Sequence, residues 1–137
     1  MQRSIKQTVG RLGVAVIAAV GSVVAVPSAA QAASYNGVCG SGYNVIDSIE
    51  LAGGTAFLTY NSSTGKNCAV TVRNIPGGPV YVIANIRVAV EGSPWQKDGD
   101  YYSTYAGPVY VYAPGQCIDW VSAIDEDLAE KLDSHCS

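Results

Sequence analysis

Four cysteines, one histidine and a few carboxylates near aromatic rings are the residues of this 137-residue chain whose types could do chemistry. A hydrolytic nucleophile needs a base beside it. Cys39, Cys68, Cys117 and Cys136 are expected to be oxidised, which leaves no thiolate. His135 is the sole imidazole and sits beside Cys136 near the chain end, without a Gly-x-Ser-x-Gly elbow anywhere. It reads as a solvent-facing residue at the end of a helix. Glycoside hydrolysis needs only two carboxylates, and Asp98, Asp100 and Asp119 are the candidates close to aromatic rings. Asp119, between Ile118 and Trp120, is expected to be half-buried and to accept backbone amides at a strand end. Asp98-Gly99-Asp100 reads as a turn and lacks the ligand spacing of an EF-hand loop. No catalytic residue is assigned: the chain reads as a non-enzyme, with no cofactor.

Zinc is the competing use for the cysteines. It fails because no two of them are close in sequence and only one histidine is present. An even cysteine count in an exported chain reads as two disulfides. Short loops close most easily, which favours Cys39–Cys68 with Cys117–Cys136. Cys39–Cys136 with Cys68–Cys117 remains the other arrangement to test. In the chain-entropy account, loops of the favoured size each stabilise by about 3 to 4 kcal/mol.

The aromatic composition points to contact rather than catalysis, with nine tyrosines against one phenylalanine. Tyr101, Tyr102, Tyr105, Tyr110 and Tyr112 crowd together just after Trp95. If Val109 and Val111 face the core, Tyr110 and Tyr112 share the opposite face. A tyrosine offers a flat apolar ring with a polar tip, which suits sugar stacking or protein contact. These six aromatics form the candidate binding surface; ordinary cross-strand packing on a half-exposed face is the alternative reading.

Such residues must be positioned by a domain, and the first 32 residues do not belong to it. Arg3, Lys6 and Arg11 form a basic start, Leu12 to Val26 is an apolar run, and Ala30-Gln31-Ala32 puts small residues where a leader peptidase needs them. Residues 1–32 therefore read as a secretion signal cleaved after Ala32, with Ala30 and Ala33 as competing junctions. The apolar run is shorter than the roughly 20 residues of a spanning helix. The chain has 8 basic and 11 acidic residues, and removing those three cations leaves five against eleven, a net −6 instead of −3. An acidic surface disfavours phosphate backbones and anionic lipid heads, so neither nucleic acid nor a membrane is an expected partner of the mature protein.

Residues 33–137 read as a single disulfide-stapled, mainly β domain, a small antiparallel sandwich or barrel. Tyr43 to Ile49, Thr55 to Tyr60, Cys68 to Asn74, Val80 to Glu91, Gly107 to Tyr112 and Gln116 to Val121 have strand character, separated by turn residues. Val80, Val82, Ala84, Ile86, Val88 and Val90 share one parity, the mark of a strand with one buried face. Trp95 falls in an exposed connection. Ile124, Leu128, Leu132 and Cys136 recur every four residues, which predicts a short C-terminal helix capped by Ser122 and Asp125.

Several blocks resemble the spore-associated protein A family of sporulating filamentous bacteria. They are Ala33-Ser34-Tyr35-Asn36-Gly37-Val38-Cys39-Gly40-Ser41-Gly42-Tyr43, Leu58-Thr59-Tyr60-Asn61, residues 67–73 (NCAVTVR), residues 105–111 (YAGPVYV) and Gly115-Gln116-Cys117-Ile118-Asp119-Trp120. The resemblance implies a secreted, extracellular protein associated with the spore surface, and brings no reaction, ligand or catalytic residue with it. The expected function is a non-enzymatic structural protein of the spore or cell surface, partnered by an envelope or cell-wall component such as a glycan. The alternative is an extracellular binding module, either a glycan binder or a proteinaceous hydrolase inhibitor displaying residues 95–105 as a loop.

Overall fold

The computed structural model describes residues 32–137, so all of the expected leader except Ala32 lies outside the described residues. Eight strands follow in order: β1 (Asn44–Leu51), β2 (Gly54–Asn61), β3 (Lys66–Arg73), β4 (Val80–Val88), β5 (Gln96–Tyr102), β6 (Tyr105–Tyr112), β7 (Ile118–Ile124) and β8 (Asp127–Ser134). They form two four-stranded sheets, a first in the order β1-β2-β3-β6 and a second in the order β5-β4-β7-β8. Every pairing is antiparallel. The consecutive pairs β1-β2, β2-β3, β4-β5 and β7-β8 are hairpins, and the chain crosses between the sheets from β3 to β4, from β5 to β6 and from β6 to β7.

The alternation in β4 does what its parity predicts as far as Val88, where the strand ends; Val90, expected on the same buried face, lies beyond it and is exposed. Val82, Ala84 and Ile86 are fully buried, and on the neighbouring strand Ile118, Trp120 and Ile124 join them. Facing them from the first sheet are Leu51 and Leu58 with the smaller Ala56, Ala69 and Ala106, so bulky side chains on one layer meet small ones on the other. Thr71 also tethers the layers, because its buried hydroxyl donates to the Ile83 carbonyl at 2.7 Å.

Two expectations fail here. The C-terminal segment is not helical: β7 and β8 form a hairpin, with Ile124 opposite Asp127 and Asp125 at a φ of +52° in the turn. A spacing of four satisfies a strand's period of two as well as a helix's 3.6, so those residues alone did not discriminate. Ala129 and Lys131 turn toward the core instead, and Leu128 and Leu132 point outward. Asp98-Gly99-Asp100 is not a turn either. It is the middle of β5, opposite Val82-Ile83-Ala84. Residues 96–102 are therefore strand, although Trp95 does lie in the connection before it.

Where the two sheets meet, carboxylates replace the ladder. At the seam between β5 and β6, Asp98 accepts the Tyr102 hydroxyl on one oxygen and the Gly107 N–H, at 2.7 Å, on the other. Gly107 is free to donate because β6 bulges there: Ala69 pairs with Val109 but Thr71 with Ala106. Pro108 has no N–H, and Gly107 takes a φ of +95° where a Cβ would sit 2.7 Å from the Ala69 carbonyl oxygen. The bond to Asp98, above all, pushes the Tyr102 phenol up to about 12. At the opposite seam, Asp47 of β1 takes Lys131 Nζ at 2.6 Å and His135 Nε2 at 2.9 Å, and Asp127 of β8 accepts the Ala52 N–H at 2.6 Å.

Burial raises the Asp47 carboxyl, but Lys131, His135 and the Ser48 amide outweigh it and hold the group below its ordinary 3.8. A depressed folded pKa adds stability above the unfolded value, and that stability is lost as pH falls through the folded one. The Asp47→Asn variant should therefore be less stable than the parent by about 1 kcal/mol near pH 6, the partly exposed pair being screened. Urea titrations should find the gap closed near pH 2, and a gap of equal size at both pH values would refute the ionic account of this seam.

Candidate functional site

The two sheets treat their outer faces differently. On the first sheet, cross-strand partners Phe57 and Val70, and Thr59 and Cys68, point away from the core yet are buried. What covers them is the segment before β1. Tyr35 packs edge-on against Phe57 with ring centroids 5.9 Å apart, and Tyr43 meets Tyr110 in the same manner at 5.6 Å. The Cys39–Cys68 disulfide pins the middle of this strap to β3. The Tyr110 hydroxyl donates to the Cys39 carbonyl at 2.9 Å. Burial first, then the neighbouring Tyr43 and Tyr35, pushes the Tyr110 phenol up, so it stays a donor in this contact. The second disulfide, Cys117–Cys136, holds the tail beyond β8 to the approach of β7. Both bridges are the pairing that short loops favour.

Nothing described covers the outer face of the second sheet. Tyr81 and Tyr101 stand opposite each other on β4 and β5, 38% and 67% exposed, with rings 5.4 Å apart and nearly perpendicular. Two residues along, Gly99 leaves the face open beside them. A Cβ there would lie 3.2 Å from the Tyr81 hydroxyl and 3.3 Å from Ile83 Cγ1. The result is a shallow cavity of about 170 Å³ lined by Tyr81, Ile83, Asn85, Lys97 and Gly99. Asn85 Oδ1 is buried there without a hydrogen-bond partner among the described residues. Across the sheet, Leu128 and Leu132 of β8 are 58% and 53% exposed. At one end of the face Arg87 lies between two partners, with Nε 2.8 Å from Asp119 and its guanidinium 4.6 Å over the Trp95 ring.

The six aromatics singled out from the sequence therefore do not share one face. Trp95 and Tyr101 belong to the open face, Tyr102 to the β5–β6 seam, and Tyr105, Tyr110 and Tyr112 to β6 on the strapped side. Val109 does face the core, and Tyr110 and Tyr112 stand on the side opposite. Tyr81, Leu128 and Leu132 are the members of the open face that sequence reasoning missed. Tyr81 had a signal, since it has odd parity in a strand whose even parity is buried.

The carboxylates suited to glycoside hydrolysis are engaged elsewhere. Asp98 holds its seam, Asp100 accepts the Tyr101 N–H at 2.7 Å, and Asp119 accepts both Arg87 and the Asp133 N–H at 2.9 Å. Among the described residues, no group of three or more His, Cys, Asp or Glu is placed to hold a metal ion.

Comparison with known proteins gives one informative match. The spore-associated protein A of Streptomyces coelicolor is 48% identical over 122 residues, covering 85% of this chain and 79% of that protein. No protein-family model matches the chain, and no solved structure matches it.

The strap gives the staple a readout of its own. Replacing Cys39 and Cys68 by serine should cost about 3 kcal/mol of stability and open residues 33–43 to limited proteolysis. Replacing Cys117 and Cys136 should cost a comparable amount while the strap stays protected. Equal protease protection of the strap in both variants would show that its packing, without the bridge, suffices.

Proposed function

Because the chain belongs to the spore-associated protein A family, we propose that it is a secreted, non-enzymatic structural protein of the spore or cell surface, attached to an envelope glycan through the open face of the second sheet. Export follows from the leader reading of residues 1–32, and the two sheets are best regarded as the layers of a small sandwich, since side chains rather than ladders join their edges.

The observation that carries the attachment is the contrast between the faces. One is sealed by a disulfide-pinned strap, and the other presents Tyr81, Tyr101, Leu128 and Leu132 to solvent on a rigid sheet. The two exposed tyrosines pack edge to face rather than coplanar, so each can offer one ring face and one hydroxyl to the alternating apolar and hydroxyl faces of a sugar chain. Lys97 supplies a donor for a hydroxyl at the cavity beside the two rings. The mature net charge of −6 works against anionic polymers, which favours a neutral glycan. A preorganised sheet also loses little entropy on binding. The inhibitor alternative needs an ordered protruding loop, and most of the segment that would supply it is the edge strand β5.

Sedimentation of the mature protein with isolated spore walls, chitin and peptidoglycan tests this. Tyr81→Ala with Tyr101→Ala should weaken binding roughly tenfold or more, from the loss of two stacking rings. Tyr112→Ala, exposed on the other sheet, should leave it unchanged. Loss with Tyr112→Ala alone would move the site to the strapped side, and no binding to any of the three would overturn the attachment.

A further inference from the structure

The strap starts where the leader is expected to stop. The Ala33 N–H donates to Asn74 Oδ1 at 2.8 Å, a contact between residues 41 apart in sequence. Asn74 is itself fixed, because its own N–H donates to the Gly53 carbonyl at 2.9 Å in the turn between β1 and β2. Beside it lies a cleft of about 190 Å³ lined by Ala32, Glu50, Leu51, Gly54, Thr55 and Asn74. At Gly54 the wall is bare backbone, since a Cβ there would come within 2.1 Å of the Val72 carbonyl oxygen. Among the described residues, Glu50 is the only formally charged one in the lining.

We propose that this cleft is the seat of the mature N-terminus, a site that binds the α-ammonium of Ala33. Hydrolysis of the Ala32–Ala33 peptide bond by a leader peptidase consumes one water. Ala32 leaves as the carboxylate end of the leader, and the Ala33 nitrogen becomes an ammonium with three donors where the amide had one. One donor keeps the Asn74 contact, now charge-assisted, and the cleft that Asn74 also lines carries the Glu50 carboxylate. Departure of Ala32 vacates the space that its own atoms now line. The geometry also discriminates among the competing junctions. Cleavage after Ala33 removes the nitrogen that Asn74 holds, and cleavage after Ala30 leaves Ala32 in the lining and the Ala33 nitrogen an amide. With Ala33 seated and Cys39 bridged, the strap is anchored at its start and its middle, and an exopeptidase finds no loose terminus from which to strip the cover off the first sheet. The inference rests on the export reading alone and is independent of glycan attachment.

Intact mass and N-terminal sequencing of the protein exported by a bacterial host provide the first test, with Ala33 expected as residue one. A retained leader would overturn the export reading together with the seat, whereas a start at Gln31 or Ser34 would overturn the seat only. Resistance to a broad-specificity aminopeptidase provides the second. The protein made with Gln31 and Ala32 still attached should be trimmed back to Ala33 and no further. In Asn74→Ala, checked for an unchanged circular dichroism spectrum, trimming beyond Ala33 should run at least about tenfold faster, the expected effect of losing one charge-assisted hydrogen bond. Trimming past Ala33 at equal rates in both proteins would show that nothing holds the terminus.

Discussion

Asp98 sits where two sheets of four strands must be joined without a shared ladder, and the rest of the molecule is arranged around that kind of junction. A sheet edge leaves a row of backbone donors and acceptors unpaired, and among the described residues no helix covers one. Here the Gly107-Pro108 bulge turns one N–H out of β6, and Asp98 collects it together with the Tyr102 hydroxyl. Asp47 and Asp127 do the equivalent at the far seam with Lys131, His135 and the Ala52 amide. A carboxylate suits this role because it accepts from several directions at once. The charge-assisted bonds it makes are about twice as strong as neutral ones. Part of the acidity that reads from composition as a property of the surface is thus structural.

Closing the seams fixes the sheets edge to edge but leaves two outer faces, and the strap resolves only one of them. Covering Phe57, Val70 and Thr59 with Tyr35 and its neighbours gives the first sheet a second small core. The Cys39–Cys68 bridge makes that cover part of the fold, since a glycine-rich segment would otherwise gain too little burial to offset its ordering entropy. The second sheet has no such cover, so its apolar outer residues remain available.

Much of this was legible in the residues. The single-parity run of β4 located one buried face, the cysteine count and spacing led to both bridges, and the alternation in β6 placed Tyr110 and Tyr112 outward once Val109 was taken as core. Three features were not legible, each for a physical reason. The i, i+4 spacing of Ile124, Leu128 and Leu132 fits helix and strand alike, and only the pairing partner in β7 decides between them. Asp98-Gly99-Asp100 has turn composition, yet Gly99 is there to make room for the Tyr81 ring and Asp98 to bridge a seam. The scatter of the aromatic cluster over two sheets follows from the crossing between β5 and β6, which sequence proximity hides. One signal was present and informative: Thr55 to Leu58 and Cys68 to Val72 are unbroken runs suited to burial on both faces, as a covered sheet requires.

An exposed apolar sheet face is ordinarily a hazard, because flat edges beside it invite another chain to extend the sheet. The edges of the second sheet are β5 and β8, and both are defended. Beside the seam carboxylate Asp98, β5 contains Lys97 and Asp100, and beside the seam residues Asp127 and Lys131, β8 contains Glu130 and Asp133. Charges of this density on an edge strand oppose strand addition, and the bulge opposite Asp119 further disturbs the ladder of β8. The face can therefore stay apolar while its borders resist self-assembly. A ligand that approaches from above, as an extended polymer does, meets Tyr81, Tyr101 and the leucines without having to pair with the backbone. Defended edges around an undefended face are what a surface built to lie against something other than itself requires.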